Sequence, residues 1–530
     1  MKFSPKVAIA AGAVLVLGLT ACSAGSSDTP DSSGGTLVYA VGEPDHLSPG
    51  RQTVAFGQVM SLFAPLVMLD DANEITYVQA ESVESDDATN WTITLRPDWT
   101  FQNGEPVTAQ SYVDAWNYTA YGPNAWENTG QLAGIAGYDD LNPLEGEPTT
   151  DAMSGLVVVD DLTFTVQLDH ADSQFPLQIS QSQTGFYPMP EAAYDDIEAY
   201  DRQPIGNGPY EMTTAWVDNE EYTVTAFEDY AGEAPATEAV TFRSYADTNT
   251  AYTDVLAGNA DLLYLPASKM TVAEQDFGDK LYAFDAPGID YLGFPLWDER
   301  YADKRVRQAI SMSIDRDVVN EAIFGGLYEP ATAFTPPAMA GTPVGICGEL
   351  CEFDPEAAKA LLAEAGGFEG TLEFVYPGGI GVDSLYEAYA NQVRQNLGVA
   401  DVVATPTTDW AEYYDSLVDS SVAGPHFGHW GALYQSQQNT LRALFTLDGG
   451  CTLCTGNYSN PEVDSLLAEA DAAATQEEAE AKYVAVQEVV LEDFPVVPTF
   501  SNKYAYVTSD KIATLPALAG SPVIDQITLK

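Results

Sequence analysis

Between Asp354 and Ala404 the hydrophobic period switches repeatedly between helix and strand, and this alternation constrains the fold more than any other feature. Asp354-Pro355 supplies an N-cap carboxylate and a first-turn proline. Leu361, Leu362 and Ala365 then fall on one inward face, and Gly366 stops the helix. Leu372 to Tyr376 reads as a strand. Tyr386, Tyr389, Val393 and Leu397 form the stripe of a second helix, and Val399 to Ala404 the next strand. A strand–helix–strand unit requires a crossover, so this region is expected to carry parallel strands covered by helices.

The flanks extend the pattern. Val306, Ile310 and Ile314 predict a helix, and Asp315 caps a second one that ends at Gly325-Gly326. Thr475 and Glu478 form a capping box ahead of Ala479, Tyr483, Val486 and Val490. Lys304, Arg305 and Arg307 read as the solvated face of their helix. The earlier half is instead rich in period-two runs: Thr36 to Val41, Trp91 to Leu95, Leu162 to Leu168, Glu221 to Phe227 and Ala239 to Phe242. Together these predict an α/β chain with β-rich insertions.

Charge narrows the function classes. With 79 acidic against 20 basic side chains, the formal net charge is −59. Such a surface repels nucleic acid and anionic lipid, so no nucleic-acid partner is expected. A composition of 45 % apolar residues is ample for packed cores.

The first residues set an address. Lys2 and Lys6 precede an apolar run from Val7 to Leu19, too short for a bilayer span but suited to a signal-peptide core. Leu19-Thr20-Ala21-Cys22 resembles a bacterial lipoprotein processing site, making 1–21 the signal peptide and Cys22 the lipidated residue. Residues 22–35 read as a flexible tether, placing the protein outside the cytoplasm on the outer face of the cell membrane. In that oxidising compartment Cys347, Cys351, Cys451 and Cys454 are expected to form disulfides, with two local bridges favoured; a four-thiolate zinc site is the alternative.

No Gly-x-Ser-x-Gly elbow, His-Glu-x-x-His pair or phosphate-binding glycine loop is present, so neither an enzyme nor a cofactor is expected. Among four histidines, His426-Phe-Gly-His429 is the best metal candidate. Its spacing beside a strand points the rings in different directions, so no metal site is expected.

Four ordered segments carry a resemblance. They are Leu95-Arg-Pro-Asp-Trp-Thr-Phe-Gln-Asn-Gly-Glu-Pro-Val-Thr-Ala109, followed by a helix with Val113 and a core Trp116; Pro204-Ile-Gly-Asn-Gly-Pro-Tyr210; Tyr291-Leu-Gly-Phe294 with Asp303 to Ile310 and Ile314-Asp-Arg316; and Trp430-Gly-Ala-Leu-Tyr-Gln435 with Tyr458 to Asp464. Gly104 and Gly208 are read as tight-turn glycines at positive φ. These segments resemble the oligopeptide- and dipeptide-binding family (family 5) of extracellular solute-binding lipoproteins that serve ABC transporters. The resemblance implies a two-lobed, periplasmic-binding-protein-like α/β fold of type II, in the large cluster with an extra β-rich subdomain, with mixed sheets and flanking helices. Lobe I would comprise 36–69, 190–289 and 504–530, the inserted subdomain 70–189, and lobe II 290–503. The implied protein is a monomer that closes on a peptide and delivers it to permease subunits.

The family's oligopeptide members carry an Asp in the last segment that holds the peptide's α-ammonium; this chain has Leu433 there. Arginine positions that meet peptide carboxylates fall near Leu417 and Phe427, both apolar. Glu412, Asp415 or Asp419 are the replacement anchors. The expected ligand-binding wall is Trp410, Trp430, Leu433, Tyr434 and Gln435, facing Val54, Ala55 and Phe56. Its ligand is expected to be a peptide, with end-blocked, modified or longer peptides included, or else a non-peptide such as a metal chelate; a signalling-peptide receptor is the other reading.

Overall fold

The computed structural model describes residues 34–70, 73–447 and 449–530. The signal peptide, Cys22 and most of the tether lie outside the described residues.

One mixed sheet runs through the molecule. Its order is Val402–Pro406, Leu372–Tyr376, His426–Gly431, Leu281–Gly293, Val497–Thr508, Leu262–Tyr264, Thr36–Val41, Ala239–Ser244, Tyr222–Ala226 and Tyr210–Met212. The strand–helix–strand unit forms: Leu372–Tyr376 pairs in parallel with Val402–Pro406, and helix Asp383–Leu397 buries Tyr386, Tyr389, Val393 and Leu397. The second strand starts at Val402, later than Val399. Gly398 ends the helix in the left-handed region (φ 72°), and the chain needs the following residues to turn before it can pair. Leu372–Tyr376 is also parallel to His426–Gly431 on its other side, and Thr36–Val41 is parallel to both its neighbours, whereas the other main-sheet pairs are antiparallel.

Two long strands, Leu281–Gly293 and Val497–Thr508, cross from one half to the other. Leu281–Asp285 pairs with Lys503–Val507, the register then shifts, and pairing resumes from Ile289 with Ser501. Pro287 sits in that gap, where its missing N–H costs no ladder hydrogen bond. On either side lie separate apolar cores. One gathers Leu37 to Phe242 with Leu262 and Tyr506 to Leu529; the other runs from Ile289 to Phe500. A four-stranded antiparallel sheet, in the order Ala80–Glu84, Asn90–Leu95, Thr163–Gln167, Leu156–Asp160, shares the first core rather than building its own. Trp116 is fully buried there, donating to Phe186 O at 2.9 Å.

Several local readings change in context. Arg307 does not face solvent. It is buried, with Nε on Phe494 O (2.8 Å) and Nη2 on Asp493 O (2.7 Å), so it caps the end of helix Gln476–Asp493. Lys304 Nζ reaches Glu492 O of the same helix at 2.5 Å, and Arg305 pairs with Asp303. Gly104 does adopt positive φ (85°), but Gly208 does not: a Cβ there would stand 2.5 Å from the Leu62 carbonyl carbon and the Phe63 nitrogen. It is a close-approach glycine, not a left-handed one. Thr475 accepts from Glu478 N, but Glu478 turns to Ala474 N, so only half of the expected box forms.

Disulfides join Cys347 to Cys351 and Cys451 to Cys454, each closing a short loop.

Candidate functional site

At the crossing of the two long strands a cavity of about 550 Å³ opens between the halves. Its floor is aromatic: Tyr264 at the end of strand Leu262–Tyr264 meets Tyr506 edge-on at 5.4 Å, with Tyr504 beside them. These tyrosines face the cavity because Tyr504 and Tyr506 share one side of an alternating strand. Burial, followed by the nearby Tyr504, pushes the Tyr264 hydroxyl up to about 12, so it remains a neutral donor and acceptor.

One wall is rich in amides. Gln52 and Thr53 come from the loop before helix Phe56–Leu62, Asn128 and Gln131 from the 3-10 turn Glu127–Leu132, and Gln181 to Gln183 from the connection after helix Phe175–Gln178. Asp45 holds the first loop by accepting from Thr53 N (2.9 Å) and Thr53 Oγ1 (2.5 Å). Asn128 Nδ2 donates to Pro49 O and Gln52 O, locking the turn to the same loop. The facing wall is Pro287 with Ala432, Leu433 and Gln435. Residues 432–435 connect strand His426–Gly431 to helix Gln437–Phe445, whose N-cap is Ser436. Asn439 Oδ1 pins this connection by accepting from Trp430 Nε1 (3.0 Å) and Leu433 N (3.2 Å).

Four polar side-chain atoms of the lining are buried without a partner: Gln52 Oε1, Gln181 Nε2, Ser182 Oγ and Gln435 Oε1. Such atoms are destabilising unless something pairs with them.

Of the residues expected to bind ligand, Phe56, Leu433 and Gln435 line this cavity. Val54, 66 % exposed, lines a neighbouring cavity of about 340 Å³ that shares Phe56, Met60, Tyr264, Tyr506 and Ser521 with it. Ala55, Trp410, Trp430 and Tyr434 line neither. Ala55 is buried as the N-cap of helix Phe56–Leu62. Trp410 packs edge-on against Phe427 at 5.6 Å, Trp430 turns to Asn439, and Tyr434 donates to Gln438 Oε1 at 2.6 Å. Glu412, Asp415 and Asp419 are exposed on helix Trp410–Val418 or at its end, away from the lining. Leu417 is core. The sequence reading missed Gln52, Asn128, Gln131, Gln181 and Gln183; the Gln181-Ser182-Gln183 run amid apolar neighbours is the one signal that could have flagged them.

The halves also touch beside the cavity. Gln438 Nε2 donates to both Asp172 Oδ1 (2.9 Å) and Asp471 Oδ1 (2.7 Å), Ser436 Oγ donates to Gln174 Oε1 (2.7 Å), and Gln183 Nε2 donates to Leu433 O (2.5 Å). Arg442 pairs with Asp471. Burial first, then the Asp471 charge, raises the Asp172 carboxyl above the usual range.

His426 and His429 have separate partners. His426 lies between Gly424 O and Cys454 O, both at 3.1 Å, whereas His429 Nδ1 meets Asp290 Oδ1 at 2.7 Å. Among the described residues no cluster of three or more metal-ligating side chains occurs, and no helix is long and apolar enough to cross a membrane.

Two halves with their own cores, joined by two crossing strands and open to a shared cavity, define a two-lobed binding protein. Residues 74–450 match the family described as bacterial extracellular solute-binding proteins, family 5 Middle, and the chain belongs to that family. It is 28 % identical over 500 residues to the periplasmic murein peptide-binding protein MppA of Escherichia coli, covering 91 % of this chain and 89 % of that one. It is 24 % identical over 475 residues to the probable deoxycholate-binding periplasmic protein YgiS of the same organism, covering 86 % of each. Among solved structures, the unliganded open form of MppA superposes with a TM-score of 0.81 at 26 % identity, covering 93 % of this chain and 96 % of that one. The family consists of binding proteins that work outside the cytoplasm, and the fold is the mixed α/β, two-lobed one the resemblance implied.

Proposed function

We propose that this chain captures peptides between its two lobes and presents them to the permease subunits of an ABC importer, with a binding rather than a catalytic role. The observation that carries this reading is the cavity at the strand crossing, walled by both halves and floored by tyrosines. Backbone-sized polar groups on its walls suit a peptide main chain, and aromatic faces accept varied side chains. Similarity to a relative named for murein peptides supports the same substrate class.

The lobes in this reading are 36–69, 190–289 and 504–530 for the first, with 70–189 inserted, and 290–503 for the second. The hinge is the register shift between Asp285 and Ile289 opposite Ser501 to Lys503. Closure there would bring Leu433 and Gln435 toward Gln52 and Gln181 and hide the ligand from water. The body acts as a monomer, held to the outer face of the membrane by a lipid on Cys22.

Thermal unfolding against a peptide panel and against non-peptide solutes tests this. A peptide at about 100 times its dissociation constant adds about 2.7 kcal/mol of stability. A shift with a bile acid or another non-peptide solute, and none with peptides, would refute the substrate class.

A further inference from the structure

Among the described residues, the cavity between the lobes is lined without any Asp, Glu, Lys, Arg or His. In a chain with 79 acidic and 20 basic side chains, that is a marked local exclusion of charge. The lining instead holds the four buried, unpartnered atoms on Gln52, Gln181, Ser182 and Gln435. Neighbouring bonds fix what two of them offer. Gln181 Oε1 accepts from Leu69 N at 3.1 Å, which leaves Nε2 as a free donor. Gln52 Nε2 donates to Thr184 Oγ1 at 2.9 Å, which leaves Oε1 as a free acceptor. Gln435 adds a second free acceptor from the opposite wall, and the Ser182 hydroxyl serves in either sense.

The residues that wall the cavity therefore carry unpaired donors and acceptors, all neutral and buried within the walls until a wall side chain turns to a ligand, and no counter-charge. An ammonium or carboxylate entering it would shed its hydration and meet no opposite charge. A secondary amide matches both kinds of free group with its N–H and C=O and brings no charge to desolvate.

We propose that the cavity selects an uncharged run of amide groups, and that Gln52, Gln181, Ser182 and Gln435 are its specificity-determining contacts. This rests on the peptide reading and deepens it. The gripped stretch is either the interior of a longer peptide, its charged ends outside the cavity, or a short peptide with both ends blocked.

Calorimetric titration of the purified protein tests it with one apolar tetrapeptide sequence in free-ended and in N-acetylated, C-amidated form, and with a free-ended dodecapeptide containing that sequence. The blocked tetrapeptide, the dodecapeptide or both are expected to bind at least about tenfold more tightly than the free tetrapeptide, about 1.4 kcal/mol; which of them binds identifies the source. Gln435→Leu is expected to weaken the preferred peptide by about threefold to tenfold. The same change should preserve or raise the unfolding temperature of the unliganded protein, because it removes an unpaired buried oxygen. Gln435→Glu should shift preference toward the free amine. Tighter binding of the free tetrapeptide, or Gln435→Leu and Gln435→Glu both without effect on affinity, overturns the proposal. If no peptide binds, the peptide reading fails separately, and the same titration with uncharged and charged non-peptide solutes decides the selectivity: uptake of charged ones alone overturns it.

Discussion

Arg307 shows how a single side chain can be read correctly as helical and wrongly as exposed. Its guanidinium accounts for carbonyls at Tyr301, Asp493 and Phe494, tying the end of one helix to the start of another, and burial lowers its pKa to about 10. Arg307→Met should cost about 3 kcal/mol in chemical denaturation, since buried carbonyls lose their donor, and Arg307→Lys should recover only part because an ammonium lacks the planar fork. A loss below about 0.5 kcal/mol would place these carbonyls in contact with water. His426 makes the complementary case. Burial first lowers its pKa to about 4, against the two carbonyls that raise it. A histidine whose folded pKa lies below its unfolded value loses native stability as pH falls, because the unfolded chain takes up the proton first. The loss should reach about 3 kcal/mol between about pH 6.5 and pH 4. Unfolding of the wild type compared with His426→Gln across that range measures it: the difference should shrink or reverse toward pH 4, and a difference independent of pH would contradict the assignment. Caps such as Asp354 and Asp315 were legible in the sequence because their partners sit within a few residues. Asp493 and Phe494, which hold Arg307, and Cys454, which meets His426, lie far along the chain, where no periodicity reports them.

At the scale of elements, strands and helices followed from period and caps, whereas the cavity did not. Trp430, Leu433, Tyr434 and Gln435 lie within a short stretch that the resemblance marked as one wall, yet only Leu433 and Gln435 face the cavity. The strand ends at Gly431 and the helix starts at Gln437, so the connection no longer follows strand alternation. The amide wall is assembled from segments around Gln52, Asn128 and Gln181 whose proximity depends on tertiary packing. Beside it, the junction of Asp172, Gln438 and Asp471 links the segment around Asp172 to the second half. The raised pKa of Asp172 means the folded state holds its proton to higher pH than the unfolded state does. Native stability from this group therefore increases as pH falls through its folded pKa and is lost as pH rises through it. Asp172→Asn should flatten that dependence while keeping an acceptor for Gln438. The check is the difference in unfolding temperature between variant and wild type from neutral to mildly acid pH: it should favour the variant most at neutral pH. A variant equally stable relative to wild type at every pH would show that Asp172 is not buried beside a second charge.

The whole molecule places a neutral cavity inside a strongly acidic body. Two large cores and two crossing strands leave an open junction between the halves, where the proposed ligand would gain contacts from both. In the proposed reading, the uncharged lining would separate what holds the cargo from the self-repelling acidic surface. The architecture was legible from the ordered segments between Leu95 and Asp464, because turns and caps leave local marks. Cargo chemistry was not, because in the proposed reading it resides in which polar atoms are left without partners after folding. The central claim is that peptide is held between the lobes at the strand crossing. Photo-crosslinking with a blocked peptide bearing a photoreactive residue, followed by mass-spectrometric mapping, tests this most directly. Adducts on Phe56, Gln181, Leu433, Gln435 or Tyr506, reduced by excess unlabelled peptide, are the predicted result. Competable adducts confined to helix Trp410–Val418 or to the outer surface would contradict it.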